Sequence, residues 1–318
     1  MNSLQAEKRN TTGISKGWAE PGNACLPLPI YNDVERMLSM LAPLDMDIVV
    51  EGETGTGKDT FAQRLYQAAG VKGAFVPVNC AAIPEQLAES ELFGVVSGAY
   101  TGASHTRAGY IESAQQGMLF LDEIDSMPLT LQAKLLRVLE TRSVTRLGCT
   151  RAVPLKFRVV VAAQRPLSEL VAQNRFRQDL YFRLSTVRVE LPTLRSHIES
   201  IIPLFRHFTQ QSALRLKCPL PPMPVELTEI LLMHSWPGNI RELRAAAERF
   251  VIGLPVIVPP VETGKVSGRL KDRLRRIESC LIEDCLARHK NRVVSAAHEL
   301  GIPRRTLYQR LKLLNVEN

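Results

Sequence analysis

The sequence has few aromatic residues, 6% of its 318 residues, and no long run of apolar ones. Its longest apolar runs, such as 118–121 and 159–163, fall far short of the roughly 20 residues that a membrane-spanning helix requires. None of its six cysteines forms a C-x-x-C pair, so their spacing predicts neither a zinc site nor a redox dithiol. Charged residues at 7–9 stand where a secretory peptide would have an apolar stretch. We therefore expect a cytoplasmic protein with reduced thiols and without a membrane span.

The positive charge is concentrated in one terminal segment. The formal net charge of the chain is +8, and residues 265–318 contribute +7 of it, with 13 Lys and Arg against 6 acidic residues. A basic segment of this kind is typical of a module that binds a polyanion such as DNA. A solvated basic surface is the alternative that charge alone leaves open.

The region from 26 to 195 alternates short β-branched runs with helical patterns. Four of these runs predict buried strands, at 47–51, 74–78, 118–122 and 157–163. The alternation predicts the α/β class, in which a parallel sheet is covered by helices on both faces.

Composition also divides the chain. We expect a flexible N-terminal arm because the first residues are polar without an apolar period, then a helical block after the sheet, then a linker where Pro and Gly cluster. The expected divisions are an arm at 1–25, an α/β domain at 26–195, a helical domain at 196–256, a linker at 257–268 and a basic module at 269–318.

A glycine-rich turn lies between the first predicted strand and a helix. Glycines let successive backbone N–H groups curl round phosphates, the helix N-terminus adds its positive end, and a lysine reaches the outer phosphate oxygens. The turn therefore predicts an ATP phosphate loop, although a chance glycine-rich turn is the alternative. Its residues are Gly52, Glu53, Thr54, Gly55, Thr56, Gly57 and Lys58, followed by Asp59 and Thr60. Asp59 replaces the Ser or Thr that usually ligates Mg²⁺, and it would instead hold a metal-bound water.

Two acidic residues, Asp122 and Glu123, end an apolar strand further along the chain. Carboxylates are costly to bury without a cation or another partner. Beside a phosphate loop we expect Asp122 to hold Mg²⁺ and Glu123 to orient or deprotonate the attacking water. For the dipeptide taken alone, a solvated strand end is the alternative.

A hexapeptide with glycines near both ends lies between these two motifs, and it consists of Gly98, Ala99, Tyr100, Thr101, Gly102 and Ala103. It resembles the G-A-F-T-G-A loop of AAA+ activators of sigma-54 RNA polymerase, and the segments 90–94, 176–184 and 236–243 match that family in order. The resemblance implies an AAA+ parallel sheet with a helical lid and a small all-α Fis-type helix-turn-helix domain. Tyr100 and the absence of a large receiver or sensor region most resemble the HrpS/HrpR-type activators of type III secretion genes.

The family resemblance also implies roles for residues that composition does not single out. Arg177 and Arg183 match arginine fingers that reach the nucleotide of a neighbouring subunit. Arg241 matches the lid arginine that senses the γ-phosphate. Asn79 matches a switch residue that holds the catalytic glutamate inactive, so we expect it to be the partner of Glu123. For any single arginine, a surface ion pair is the alternative.

The sequence departs from the family pattern at two places. Val95 and Val96 replace the usual His-Glu ahead of the glycine loop, and Ala163 and Gln164 replace the usual Thr-Asn after a strand. The amide of Gln164 can still donate a hydrogen bond to phosphate or water. We therefore expect these changes to alter the rate of turnover more than the type of reaction.

Three helices are predicted in the basic module. Leu270, Leu274, Ile277, Leu281 and Cys285 recur at helical spacing and predict an amphipathic helix that could form a dimer face. A second helix is expected at 292–300 and a third from Pro303, with Gly301 supplying the turn between them.

The last two helices resemble the Fis-type helix-turn-helix of these activators, which implies binding to double-stranded DNA upstream of a promoter. A three-helix oligomerisation module is the alternative. The candidate DNA-contacting residues are Arg304, Arg305, Thr306, Tyr308, Gln309, Arg310 and Lys312.

Together these features favour a DNA-bound ATPase that assembles with itself or a close paralogue into a hexameric ring and remodels the sigma-54 RNA polymerase holoenzyme. Control would come from expression level, an inhibitory protein or a sister subunit. One alternative is a repressor or activator that uses nucleotide only as an assembly switch, which would need neither Glu123 nor Thr101. Another is an AAA+ replication initiator, which gives no reason for the glycine loop at 98–103.

Overall fold

The computed structural model describes residues 29–99, 105–257, 274, 278–279, 281–283, 285–286, 289 and 292–314. The expected arm at 1–25, the linker apart from residue 257, and the tip of the glycine loop at 100–103 lie outside these residues. None of the described helices combines the length and the apolar character that crossing a membrane would need.

The α/β part is built on a five-stranded parallel sheet with strand order β2-β3-β6-β1-β7. Its strands are β1 (Ile48–Glu51), β2 (Phe75–Asn79), β3 (Met118–Asp122), β6 (Arg158–Ala163) and β7 (Val187–Glu190). A separate antiparallel hairpin joins β4 (Ser143–Thr145) to β5 (Ala152–Pro154). The predicted parallel sheet is confirmed, and its four predicted strands lie within one residue of β1, β2, β3 and β6.

The central strands are apolar throughout because both faces of the sheet are covered. Every residue of β1 and β6 is buried. Successive side chains point to opposite faces, so Val49 and Val161 belong to one core cluster whereas Val50 and Val160 belong to the cluster on the other face. This is the pattern expected of a parallel sheet between two helical layers.

Seven helices connect or flank these strands: α1 (Pro29–Leu41), α2 (Lys58–Ala69), α3 (Glu85–Phe93), α4 (Tyr110–Ser113), α5 (Leu129–Thr141), α6 (Leu167–Ala172) and α7 (Gln178–Leu184). Since all five strands are parallel, their carboxyl ends lie along one edge of the sheet. The phosphate loop, Asn79, Asp122 and Gln164 all follow or end strands at that edge.

The helical block after β7 comprises α8 (Ile201–Leu216), α9 (Val225–Met233) and α10 (Asn239–Val251). Its core includes the fully buried Trp236, whose indole N–H donates to the carbonyl of Leu231 over 2.8 Å. Helix α10 packs mainly against α8.

The described part of the basic module contains α11 (Val293–Glu299) and α12 (Arg304–Leu314). Gly301 lies between them with φ of +65°, a conformation that glycine adopts without strain. Ala296, Ala297, Leu307 and Leu311 are buried in a small apolar core with Cys285. The expected turn and the small-residue crossing are therefore present.

Candidate functional site

The phosphate loop joins β1 to α2. Gly55 and Gly57 have φ of +79° and +95°, conformations that side-chain-bearing residues rarely adopt. The ammonium of Lys58 turns back into the loop and donates to the carbonyls of Gly52 at 2.6 Å and Glu53 at 3.1 Å. Burial lowers the pKa of Lys58, and the charge of Asp122 opposes that shift. The local structure is the strand, glycine turn and helix that the sequence predicts.

Contacts from Arg195 and from the start of α10 hold the phosphate loop. The carboxylate of Glu53 accepts a 2.6 Å hydrogen bond from Arg195 and a 3.2 Å bond from the amide of Asn239. The bond from Arg195 is the main cause of the lowered pKa of Glu53. The backbone N–H of Arg241 donates to the carbonyl of Gly55 over 3.3 Å. The structure thus brings the predicted lid arginine to the loop, and it adds Arg195 and Asn239, which sequence reasoning missed.

Glu123, the second of the two acids at the end of β3, is connected to the phosphate loop through a glutamine. Glu123 adopts a left-handed backbone conformation with φ of +53°. Its carboxylate accepts a 2.9 Å hydrogen bond from the amide of Gln164, whose oxygen accepts a 3.3 Å bond from the hydroxyl of Thr54. Strand β3 lies beside β6 in the sheet, which is why Gln164 reaches Glu123. The position that departs from the family pattern therefore connects the phosphate loop to the predicted catalytic acid.

The expected pairing of Asn79 with Glu123 is not found. Asn79 ends β2 opposite Asp122, but its amide oxygen accepts hydrogen bonds from the backbone N–H groups of Ala81 at 2.9 Å and Ala82 at 3.1 Å. The short side chain closes its own turn, whereas the longer Gln164 reaches the glutamate from the other neighbouring strand. The amide of Gln164, and not that of Asn79, donates to the carboxylate of Glu123.

Carboxylates round Lys58 suit a hard divalent cation. Burial raises the pKa of Asp122, because the charged carboxylate loses solvation there. A bound cation would stabilise the charged form. The negative charges of Asp125 and Asp59 also oppose the lowering of the pKa of Lys58. Within the described part of the chain, Oδ1 of Asp125 is buried and has no hydrogen-bond partner. Oxygen ligands of this kind fit Mg²⁺.

An apolar cleft opens beside the phosphate loop. Ile30, Tyr31 and Val34 of α1 line it together with Leu191 and Ile240. Gly55, Gly57, Asp59 and Thr60 line its polar side. Ligand pockets typically combine an apolar lining with a few convergent polar groups. The apolar spacing along α1 is visible in the sequence, but sequence reasoning did not use it to predict the apolar side of this cleft.

The two predicted finger arginines have partners within their own chain. Arg177 precedes α7 and pairs with Asp179 through contacts of 3.1 and 2.7 Å. Arg183 contacts Asp47 at 3.2 Å and donates to the carbonyl of Leu139 at 3.0 Å. Because Asp47 comes just before β1, Arg183 lies at the sheet edge opposite the phosphate loop. In the described contacts, neither arginine reaches the phosphate loop of its own chain.

The base of the glycine loop is a short backbone pairing. Val95 and Arg107 exchange N–H to carbonyl hydrogen bonds of 3.0 and 2.9 Å, and the N–H of Val96 donates to Leu147 over 3.0 Å. The guanidinium of Arg107 forms a 2.5 Å ion pair with Glu91. Val95 is buried, which accounts for an apolar residue at a position where the family pattern is polar. The tip residues Tyr100, Thr101, Gly102 and Ala103 lie outside the described part.

Comparison with known proteins matches three parts of the chain. The sigma-54 interaction domain model matches residues 29–190, and the AAA+ ATPase lid domain model matches residues 195–255. The model for bacterial regulatory proteins of the Fis family matches residues 273–313.

Relatives are similar over nearly their whole length. The pathogenicity locus regulatory protein WtsA of Pantoea stewartii subsp. stewartii is 57% identical over 91% of this chain and 90% of its own. HrpS of Pseudomonas syringae pv. syringae is 53% identical over 87% of this chain and 92% of its own. HrpR of the same organism is 50% identical over 86% and 88%. The chain belongs to the sigma-54-dependent AAA+ activators of the HrpS/HrpR type.

Solved structures support the same fold for this sigma-54-dependent activator. NtrX from Brucella abortus in complex with ATP aligns with a TM-score of 0.68 at 29% identity, over 93% of this chain and 70% of NtrX. Its complex with ADP aligns with a TM-score of 0.67 at 29% identity, over 90% of this chain and 68% of NtrX. The architecture of the activator is therefore that of an AAA+ sheet with a helical lid.

The helix-turn-helix of the activator presents a basic surface on α12. Leu307 is fully buried and Leu311 is nearly so, whereas Arg304, Arg305 and Tyr308 are exposed. Gln309 and Arg310 are exposed as well, Thr306 is half-buried, and the side chain of Lys312 lies outside the described part. Arg310 also forms a 3.2 Å ion pair with Glu278. The arrangement leaves one face of α12 available to a polyanion.

Proposed function

We propose that this activator hydrolyses ATP and uses the energy to remodel sigma-54 RNA polymerase bound at a promoter. The observation that carries the proposal is the hydrogen-bonded connection from Thr54 through Gln164 to Glu123. It supports the proposal because hydrogen bonds join the carboxylate of Glu123, which would act on water, to the phosphate loop. A chain that used nucleotide only to assemble would not need that connection.

The roles of the residues follow from their environments. Lys58 and the loop N–H groups would bind the β- and γ-phosphates, and Arg241 would approach them from the lid. The apolar cleft lined by Ile30, Tyr31 and Val34 would hold the base. Glu123, oriented by Gln164, would accept the proton of the attacking water.

Asp122 is the first candidate to hold Mg²⁺, with Asp59 acting through a water. When bound, Mg²⁺ neutralises charge on the phosphate oxygens during transfer. The buried Oδ1 of Asp125, which has no partner among the described residues, would also orient such a water. The partners of Asn79 favour a structural role in its turn over direct contact with Glu123.

Assembly would complete the site. A hexameric ring of this chain or a close paralogue would bring Arg177 or Arg183 to a neighbour's nucleotide, and fingers of this kind are worth about 10³ to 10⁵ in rate. Arg177 is exposed and its ion pair with Asp179 is local. Arg183 would have to leave Asp47, which Arg142 also contacts at 2.6 Å.

The remaining parts would direct this activity. The glycine loop, held at its base by Val95 and Arg107, would carry Tyr100 and Thr101 to the polymerase. Helix α12 would bind double-stranded DNA upstream of the promoter, at genes such as those for type III secretion. An inhibitory protein or a sister subunit would supply control.

Reconstituted transcription from a sigma-54 promoter tests the proposal. With ATP we expect transcript, and with a non-hydrolysable analogue we expect none. Glu123→Gln should bind ATP without turning it over, and Thr101→Ala should hydrolyse ATP without opening the promoter. Equal transcript with and without hydrolysable nucleotide would contradict the proposal.

Mixing experiments test the arginines separately. Arg183→Ala and Arg177→Ala should each lose most ATPase activity if that residue acts across the subunit boundary. Mixing either variant with Glu123→Gln should restore some turnover, because each partner then supplies what the other lacks. A single variant with normal activity removes its arginine from the role of finger.

A further inference from the structure

Three metal-ligating side chains of different chemical types converge in the C-terminal module. Sγ of Cys285, a ring nitrogen of His289 and a carboxylate oxygen of Glu299 all lie within 4.8 Å of one another. Cys285 is completely buried, whereas the side chains of His289 and Glu299 are 32% and 28% exposed. The cluster is thus closed by the core on the thiol side and open to solvent on the other.

Local structure explains why these residues meet. Cys285 and His289 are four residues apart, and the N–H of His289 donates to the carbonyl of Cys285 over 3.1 Å, as in a helix. Side chains at this spacing lie on the same face. Glu299 is the last residue of α11, and the thiol of Cys285 lies 3.6 Å from the carbonyl of Ala296 on that helix. Two separate chain segments therefore contribute to the cluster.

The donor set matches a metal of the zinc class. Thiolate, imidazole and carboxylate bind Zn²⁺ at about 2.0 to 2.3 Å, which places ligand atoms of a tetrahedral site about 3.3 to 3.8 Å apart. Atoms that lie within 4.8 Å of one another can reach that geometry by small side-chain movements. His289 and Glu299 are already in contact. Mg²⁺ and Ca²⁺ prefer oxygen ligands alone and do not fit a buried thiol.

We propose that Cys285, His289 and Glu299 bind a zinc-class divalent metal that joins the segment at 285–289 to the end of α11. A water would take the fourth position, on the exposed side. The turn through Gly301 follows Glu299 directly. The metal would therefore fix the end of α11 from which the chain turns towards α12. Cysteine spacing could not predict this site, because its donors are three different residue types on two segments.

Cobalt titration of the full chain tests the proposal. Purified metal-free protein is titrated with Co²⁺, which reports a tetrahedral thiolate site through sulfur-to-metal charge-transfer absorption and strong visible bands. We expect the charge-transfer band to saturate at one equivalent of Co²⁺, and Zn²⁺ to abolish it. Metal should also raise the thermal unfolding midpoint of the C-terminal module, because an ion that binds only the folded state stabilises it.

Variants assign the ligands. Cys285→Ser should lose the charge-transfer band, and His289→Ala should weaken Co²⁺ binding by about tenfold or more. Cys218→Ser, which removes a thiol of the lid, should keep both the band and the affinity. A full chain without the band, or a band that persists in Cys285→Ser, overturns the proposal.

The Cys285→Ser variant needs a separate test of folding, because the thiol that it replaces is buried. If circular dichroism shows that Cys285→Ser is unfolded, Glu299→Gln decides the matter, since it alters an exposed helix end without removing volume. We expect Glu299→Gln to bind Co²⁺ about tenfold or more weakly. Unchanged affinity in this variant overturns the three-ligand site.

Discussion

The two glycine loops of the activator use the same backbone conformation for different reasons. Gly55 of the phosphate loop has φ of +79° and Gly98 of the loop that precedes Arg107 has φ of +82°. A Cβ on Gly55 would lie 2.1 Å from the carbonyl oxygen of Gly238 in the lid. A Cβ on Gly98 would meet no described atom within 4 Å. Glycine is needed for close approach and conformation at the first position, and for conformation alone at the second.

The two loops also differ in the residues that contact them. The phosphate loop is contacted by two side chains of the lid, Arg195 and Asn239, and by Gln164, which follows β6. Among the described residues of the other loop, Val95 and Arg107 pair at its base and Ala99 lies close to Gly148. A loop held on several sides suits chemistry that needs fixed geometry.

The largest effect is expected from Gly55→Ala. The added methyl group would clash with the backbone of Gly238 and force the loop away from the lid, so we expect ATP affinity to fall about 100-fold or more. Isothermal titration with a non-hydrolysable analogue measures this.

Gly70→Ala is the matched control. Gly70 also has a positive φ, +59°, but a Cβ there would meet nothing within 4 Å among the described residues. We expect this control to cost about 1 to 2 kcal/mol of stability and to leave ATP affinity unchanged. Equal loss of affinity in both variants would mean that conformation, and not contact with the lid, makes Gly55 necessary.

Gln164→Ala should have the next largest effect. Removing the amide frees the carboxylate of Glu123 from a 2.9 Å hydrogen bond, and a bond to a charged group is worth about 1.5 to 3 kcal/mol. We expect kcat to fall about tenfold or more, with ATP affinity changed by less than about threefold. Steady-state ATPase assays measure both, with the exposed Gln173→Ala as control. A lower affinity at normal kcat would show that Gln164 serves binding and not the acid.

Gly98→Ala should separate hydrolysis from transcription. The left-handed conformation costs a residue with a side chain about 1 to 2 kcal/mol, yet the site of hydrolysis is elsewhere. We expect ATPase activity within about twofold of normal and promoter opening reduced about tenfold. Parallel ATPase and transcription assays check this. Loss of both activities together would mean that the two loops are not independent.

The smallest effect is expected from Arg107→Ala. Its ion pair with Glu91 is solvent-exposed, with 49% of the arginine side chain accessible, so its loss should cost less than about 1 kcal/mol of unfolding free energy. Chemical denaturation measures that change. A larger loss would show that the base of the glycine loop is as firmly held as the phosphate loop.

Strand prediction succeeded for three strands that are largely buried, and also for β2, of which Val78 alone is buried. The apolar runs of β1, β3 and β6 are continuous because helices cover both sides of the sheet, and such runs are visible in the sequence. Strand β7 has the alternating sequence Val187–Glu190, with only one residue fully buried, and sequence reasoning did not identify it. The hairpin of β4 and β5 consists of strands too short to show a period.

The candidate site was predictable in its local motifs but not in its tertiary contacts. The loop ending at Lys58 and the acids at 122–123 are contiguous in sequence, so their chemistry could be inferred from residue types. Asn239 and Arg195 contact Glu53 from residues about 140 or more positions away, and no periodicity encodes such contacts. The partner of Glu123 depends on which strands flank β3, which only the fold decides.

Gly55 of the phosphate loop lies directly against Gly238 of the lid, without a side chain between them. Where a long side chain spans a gap, rotation about its bonds can absorb small movements. Here backbone lies against backbone, and the N–H of Arg241 is bonded to the carbonyl of Gly55 as well. Because Gly238 lies at the start of α10, a displacement of the phosphate loop would reach that helix through backbone contacts, and then α8, against which α10 packs.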